Sequence, residues 1–79
     1  MRSIDSKELK KAMINVDLDS FVKLEEETGI HKSTLSDIVK NERKPSYESI
    51  SVLADALHLS YAEIGRIFFA NELAVKHTN

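Results

Sequence analysis

The polar side chains that could carry a function are concentrated between residues 31 and 45. This stretch contains four basic and two acidic side chains, in a chain whose net charge is -2. Lysine and arginine donate hydrogen bonds to anionic groups, and serine, threonine and aspartate add hydroxyl and carboxylate partners. Such a local excess of positive charge is compatible with binding a polyanion, although the acidic total, with a pI near 5.9, limits the attraction.

No comparable pattern supports catalysis or metal binding. The histidines His31, His58 and His77 lie at spacings that match no zinc motif, and the chain has no cysteine. Two glycines are too few for a phosphate-binding loop, and no serine has a histidine and an acid close in the pattern. We therefore predict neither an enzyme nor a cofactor.

Two helix-forming segments flank Gly29, whose tolerance of positive φ lets the chain leave one helix and enter the next within a few residues. The second of these helices begins near His31. Its apolar residues Ile30, Leu35 and Ile38, together with Val39, are expected to face inward. The pattern predicts a helix, a tight turn and a helix. The outer face of the second helix then carries Lys32, Ser33, Ser36, Asp37 and Lys40.

Capping signals and apolar stripes predict the remaining helices. Asp5 and Glu8 resemble a capping box, with Ile4 and Leu9 at the spacing of a hydrophobic staple, and Ser60 and Glu63 repeat the capping signal. Ser46 is expected to cap the fourth helix, whereas the cap of the second helix is left open among Asp17, Asp19 and Ser20. The predicted core stripes are Leu9, Ala12, Met13 and Val16, then Phe21 and Leu24, then Ile50, Leu53, Ala54 and Leu57, and finally Ile64, Ile67 and Phe68. We also expect helices to end at Asn41 and His58, and asparagine tolerates the left-handed backbone conformation better than most residues.

The residues from Thr28 to Ser36, Thr-Gly-Ile-His-Lys-Ser-Thr-Leu-Ser, resemble the core motif of Cro/CI-type (XRE-like) helix-turn-helix regulators. The segment from Arg43 to Ser46, with the apolar stripe that follows it, is similar to the continuation of that motif. The resemblance covers most of the chain, from Leu9 to Phe69. It implies an all-α fold, a compact bundle of about five helices similar to the lambda-repressor DNA-binding domain, with the helix-turn-helix at helices 2 and 3. We expect one domain over residues 1–79, with a flexible tail from about residue 74.

In this family the second helix of the pair lies in the DNA major groove, and its early residues read base edges. The resemblance implies that double-stranded operator DNA is the partner. It implies base contacts for Lys32, Ser33 and Asp37, with Ser36 on the same face. Phosphate contacts are implied for His31, Thr34, Lys40, Arg43 and Lys44. The chemistry suits these roles, because lysine donates to guanine, aspartate accepts from cytosine, and serine serves either kind of base.

Two residues depart from the family pattern. Phe21 stands where a glutamine often contacts a phosphate, and Glu25 stands where a small alanine is usual. Because burying an unpaired charge is costly, Glu25 must turn outward or find a partner. Both departures weaken the DNA-binding interpretation.

A second surface is expected on the fifth helix. At 100° per residue Phe69 lies about 140° from Ile64, off the core face. Gly65, Phe69 and Leu73 are spaced four apart and form a separate row. Either Phe69 folds under the C-terminal tail, or the row contacts a second copy of the chain or another protein, which we prefer. The stretch from Ala56 to Ile64, Ala-Leu-His-Leu-Ser-Tyr-Ala-Glu-Ile, with the ending Ile67-Phe68-Phe69 after it, also resembles short phage-encoded regulators of the lysis-lysogeny decision.

Two functions remain open. The first, which we prefer, is a Cro-like or repressor-like regulator that binds an operator as a dimer. The second is a modulator or antirepressor that binds a partner repressor, as favoured by the acidic total, Phe21, Glu25 and the spare apolar row. No apolar run approaches the roughly 20 residues that span a bilayer, and the start lacks a signal-peptide segment. We therefore expect a cytoplasmic protein, in a bacterial host if phage-encoded, with no membrane or small-molecule substrate.

Overall fold

The computed structural model describes residues 4–69, and these residues form five α-helices and no strand. The helices are α1 (Ser6–Asn15), α2 (Phe21–Thr28), α3 (Lys32–Val39), α4 (Tyr47–Ala56) and α5 (Tyr61–Phe68). The prediction of an all-α fold with a helix-turn-helix at α2 and α3 is confirmed. Within this range, no helix has the length and apolar character needed to cross a membrane. Leu73 and the predicted flexible tail lie outside the described residues.

Side-chain caps determine where most of the helices begin. In each case the oxygen of the cap residue accepts a hydrogen bond from a backbone N–H of the first turn, a group that has no partner within the helix. The start of α2, which the sequence left open among three candidates, is set by Ser20. The observed pairs are Asp5 with Glu8, Ser20 with Lys23, Ser46 with Ser49 and Ser60 with Glu63, at N···O distances of 3.1 to 3.2 Å.

The capping box expected at α1 is only half formed. Asp5 accepts from the N–H of Glu8, but its own backbone N–H donates to the carbonyl oxygen of Ile67 at 2.8 Å. The carboxylate of Glu8 instead lies 3.5 Å from Lys11 and 3.8 Å from Arg66. A tertiary hydrogen bond to the end of α5 therefore replaces the local one that the Glu8 side chain would have accepted. The box at Ser60 and Glu63 is complete, as predicted.

Residues in the left-handed region of backbone space end several helices. Gly29 has φ 78°, which costs glycine little because it has no Cβ. Asn41 has φ 63° and His58 has φ 56°, at the two positions where the sequence predicted a helix end without glycine. Both predictions are confirmed.

The predicted apolar stripes meet in a single core, in which α2 packs against α3 and α4, and α1 packs against α3 and α5. Phe21, expected to be buried, is only half-buried, because it opens α2 at the edge of a groove. Val16, Ile64 and Phe69 also pack at the edge of the core. The buried apolar residues are Ile4, Leu9, Ala12, Met13, Leu24, Leu35, Ile38, Val39, Ile50, Leu53, Ala54, Leu57, Ile67 and Phe68.

The side chain of Asn41 fastens the start of the described chain to the end of α3. Its Oδ1 accepts from the N–H of Ile4 at 3.2 Å, and its Nδ2 donates to the carbonyl oxygen of Ile4 at 3.0 Å and to Oγ of Ser6 at 3.2 Å. The hydroxyl of Ser6 in turn donates to the carbonyl oxygen of Val39. This Asn41 clamp holds α1 against α3 and satisfies polar backbone groups that the core would otherwise leave unpaired.

Candidate nucleic-acid interface

The turn between α2 and α3 is held by Thr28 and Gly29. The hydroxyl of Thr28 donates to the carbonyl oxygen of Leu24 at 2.7 Å and accepts from the N–H of Ile30 at 3.1 Å. The N–H of Gly29 donates to the carbonyl oxygen of Glu25 at 2.8 Å. Because Leu24 is buried and Ile30 packs against the core, this turn has one orientation. It therefore fixes the direction in which α3 leaves α2.

The α3 helix has one buried face and one accessible face. Leu35, Ile38 and Val39 are at most 5% exposed, so the inner face anchors the helix in the core. On the opposite face Lys32, Ser33 and Lys40 are exposed. Ser36, Asp37 and Thr34 are half-buried and lie along the same helix. The part of α3 that the resemblance assigns to DNA is thus exposed at its two ends and partly accessible between them.

His31 caps α3 with its imidazole ring. Its Nδ1 accepts a hydrogen bond from the N–H of Ser33 at 3.1 Å and lies 2.8 Å from the hydroxyl oxygen of Ser33. The sequence predicted a helix start near His31 but missed this capping role, because histidine is not among the usual cap residues.

The basic loop from Glu42 to Lys44 returns alongside the end of α3. The N–H of Glu42 donates to the carbonyl oxygen of Asp37 at 2.8 Å, and Pro45 is buried at the far end of the loop. Nε of Arg43 lies 3.8 Å from Oδ2 of Asp37, so these two predicted DNA contacts pair with each other. Lys44 is exposed, as is Lys40 at the end of α3. The loop and the outer face of α3 therefore form one continuous polar surface.

The start of α2 is poorly suited to a phosphate. Asp19 lies 3.2 Å from Nζ of Lys23, and the hydrogen bond from this lysine lowers the pKa of the Asp19 carboxyl below its ordinary value. The ion pair with Asp19 thus occupies the Lys23 ammonium and places a carboxylate where a phosphate contact would need a free donor. Beside it lies an open groove of about 330 Å³. The groove is lined by Lys10, Met13, Ile14, Asp19, Ser20, Phe21 and Val39.

Glu25 and Phe69 fall at the border between surface and core. Glu25 is half-buried, and no charged residue is buried in the part of the chain that the structure describes. Its side chain therefore keeps contact with solvent, which agrees with the expectation that Glu25 turns outward. Phe69 is half-buried and packs against the core, although its helical angle places it off the core face. Phe69 is the cap residue just after α5, and its φ of −129° is not helical, so the angle expected for a regular helix does not fix the direction of its side chain.

The five-helix fold and the accessible polar face of α3 define a helix-turn-helix protein. A family model described as helix-turn-helix matches residues 9–64, and the chain belongs to this family of XRE-type proteins. No curated protein and no solved structure matches the chain. The family comprises DNA-binding regulators and is generally non-enzymatic, so membership indicates a regulator that binds double-stranded DNA. Within residues 4–69 no group of three or more His, Cys, Asp or Glu side chains could hold a metal ion.

Proposed function

We propose that the protein is a sequence-specific transcription regulator of Cro/CI type that inserts α3 into the DNA major groove. The observation that supports this most directly is the division of α3, whose inner face is anchored in the core while Lys32 and Ser33 stand exposed in its first turn. A side chain in this position reaches base edges when a recognition helix docks by its N-terminal end. The resemblance of the stretch from Ala56 to Phe69 to short phage-encoded regulators favours a role in a phage lysis-lysogeny switch.

The proposed contacts divide by chemistry. Lys32 and Ser33 read bases, and Ser36 lies behind them on the same helix. The cations Lys40 and Lys44, together with His31 and the hydroxyl of Thr34, contact phosphates and set the register of the protein on the duplex. Asp37 and Arg43 pair with each other, and their role is treated separately below. A dimer would place two such helices about 34 Å apart, one turn of DNA.

A gel shift with the DNA that flanks the gene of this protein tests the proposal. We expect a shifted band that a tenfold excess of unrelated duplex does not remove, with an affinity that falls as salt rises. A band that unrelated duplex removes equally well would show non-specific binding, and no band at low salt would contradict DNA binding.

A second function, the binding of a partner repressor, is supported by the surface around the start of α2. Ile14 and Val22 are 62% and 53% exposed, next to the half-buried Phe21. Exposed apolar residues beside an open groove are typical of protein contacts, and Asp19 disfavours DNA there. Adding the protein products of neighbouring genes to the same gel shift distinguishes a DNA-binding regulator from a modulator. A modulator changes the DNA band shifted by its partner but shifts no DNA band by itself.

A further inference from the structure

Arg43 and Asp37 form a pair that joins the basic loop to the outer face of α3. Nε of Arg43 lies 3.8 Å from Oδ2 of Asp37, with the side chains 58% and 40% exposed. At this distance the two groups attract each other as charges without a direct hydrogen bond. The family resemblance implied a base contact for Asp37 and, separately, a phosphate contact for Arg43, whereas their pairing makes the two roles depend on each other.

The fold fixes where Arg43 stands relative to α3. The loop leaves the helix through Asn41, whose positive φ and hydrogen bonds to Ile4 and Ser6 hold the turn. The N–H of Glu42 returns to the carbonyl oxygen of Asp37 itself at 2.8 Å. Arg43 is the next residue, so the backbone places it beside Asp37 independently of the contact between their side chains.

The carboxylate changes what Arg43 can bind. A neighbouring negative charge offsets much of the attraction between an arginine and a phosphate, and it repels the phosphate directly. It does not remove hydrogen bonding to an uncharged acceptor. With Nε facing Asp37, the two terminal nitrogens of the guanidinium remain as paired donors, and guanine presents N7 and O6 as paired acceptors in the major groove. The pair therefore favours a guanine over a phosphate.

We propose that Arg43 reads a guanine in the major groove and that Asp37 is the positioning residue that orients its guanidinium. This inference rests on the proposed DNA-binding function of α3. It extends base reading beyond the helix into the loop, so that the recognised site includes a G·C pair in addition to the base pairs contacted by Lys32 and Ser33.

The test begins with selection of the preferred duplex from a random pool by the wild-type protein. Dissociation constants are then measured for that duplex and for every single base-pair change, using wild type, Arg43→Gln, Asp37→Asn and Lys44→Gln. Lys44→Gln is the matched control, because it removes a neighbouring positive charge from the same loop. Circular dichroism of each variant checks that the helices are retained.

Arg43→Gln is expected to reduce discrimination at one G·C pair by about 5- to 150-fold, the value of a bidentate base contact. Asp37→Asn is expected to lose discrimination at the same base pair, although it removes a negative charge from the DNA-facing surface. Lys44→Gln is expected to weaken all duplexes alike.

Three results would overturn the inference. Uniform weakening by Arg43→Gln, as for the control, would make Arg43 a phosphate contact. Uniform tightening by Asp37→Asn, with discrimination intact, would leave Asp37 without a positioning role. If wild type enriches no sequence, the proposed function fails and this inference fails with it.

Discussion

Lys32 is the base-reading residue whose role is most direct to assign. It is exposed in the first turn of α3 and has no ion-pair partner among the residues that the structure describes. An unpaired lysine is free to donate to guanine N7 and O6. The roles of its neighbours are more constrained, since His31 and Ser33 bond to each other and Asp37 faces Arg43. Spacing in the sequence places all these residues on one surface but gives no information on which of them pair.

Lys32→Ala is expected to relax base preference at one or two positions of the site, at a cost of about 1 to 3 kcal/mol each. Lys40→Ala is the matched control. It is expected to weaken binding to all sequences alike and to lower the salt slope by about one, because a phosphate contact carries no sequence information. Competition binding over a panel of single base-pair changes measures both effects. Equal effects of the two variants on every sequence would contradict this assignment of roles.

At the scale of elements, the beginnings of the helices were largely predictable, because a cap and the first turn lie within four residues of each other. Ser60 and Glu63 show this most clearly, since both halves of their box are formed. The start of α2 was ambiguous, because three neighbouring residues were all suitable caps. The Asn41 clamp could not be predicted, because it joins residues 37 positions apart and depends on how α1 meets α3.

Glu63 predicts a pH dependence at the start of α5. Hydrogen bonds from the backbone N–H and the side chain of Ser60 lower the pKa of the Glu63 carboxyl below its ordinary value. A lowered pKa means that the carboxylate stabilises the fold above the pKa it has when unfolded, and that this contribution is lost as the pH falls through the folded value. Residue 63 does not titrate in Glu63→Gln. As the pH falls from 7 to 3, the difference in melting temperature between wild type and this variant should therefore shrink. A difference between the two that is constant with pH would contradict the prediction.

The Asn41 clamp predicts how substitutions at the end of α3 change stability. Asn41→Gly keeps the positive φ but removes the side-chain bonds, so the free energy of unfolding should fall by about 1 to 3 kcal/mol. Asn41→Ala should cost about 1 kcal/mol more, because an alanine resists the left-handed backbone. Urea unfolding measures both. A glycine variant as stable as wild type would show that the clamp contributes nothing in solution.

At the scale of the whole molecule, the polar face of α3 and the apolar groove at the start of α2 offer surfaces of opposite character. Family membership was accessible from the sequence, because the turn, the caps and the stripes occur in the order typical of the family. The groove could not be predicted from the sequence, because it forms only where three helices meet: Met13 and Ile14 of α1, Phe21 of α2 and Val39 of α3. The sequence signal for it was Phe21, a large apolar residue where the family often has glutamine.

The row of Gly65, Phe69 and Leu73 remains a prediction of a dimer or partner contact. Phe69→Ser should shift the mass in analytical ultracentrifugation toward the monomer, because it removes apolar area from that contact. Since Phe69 also packs against the core, Leu73→Ser is the second variant. Loss of helical signal in Phe69→Ser with an unchanged mass for Leu73→Ser would show that Phe69 serves the core and that the row is no interface.

The central claim is that the outer face of α3 enters the groove of a DNA duplex. Titration of the 15N-labelled protein with duplex DNA at low salt, followed by amide chemical shifts, tests it most directly. We expect the largest shifts between residues 31 and 44 and small shifts along α5. Unchanged shifts throughout α3 at low salt, or changes confined to the groove around Phe21, would contradict the claim.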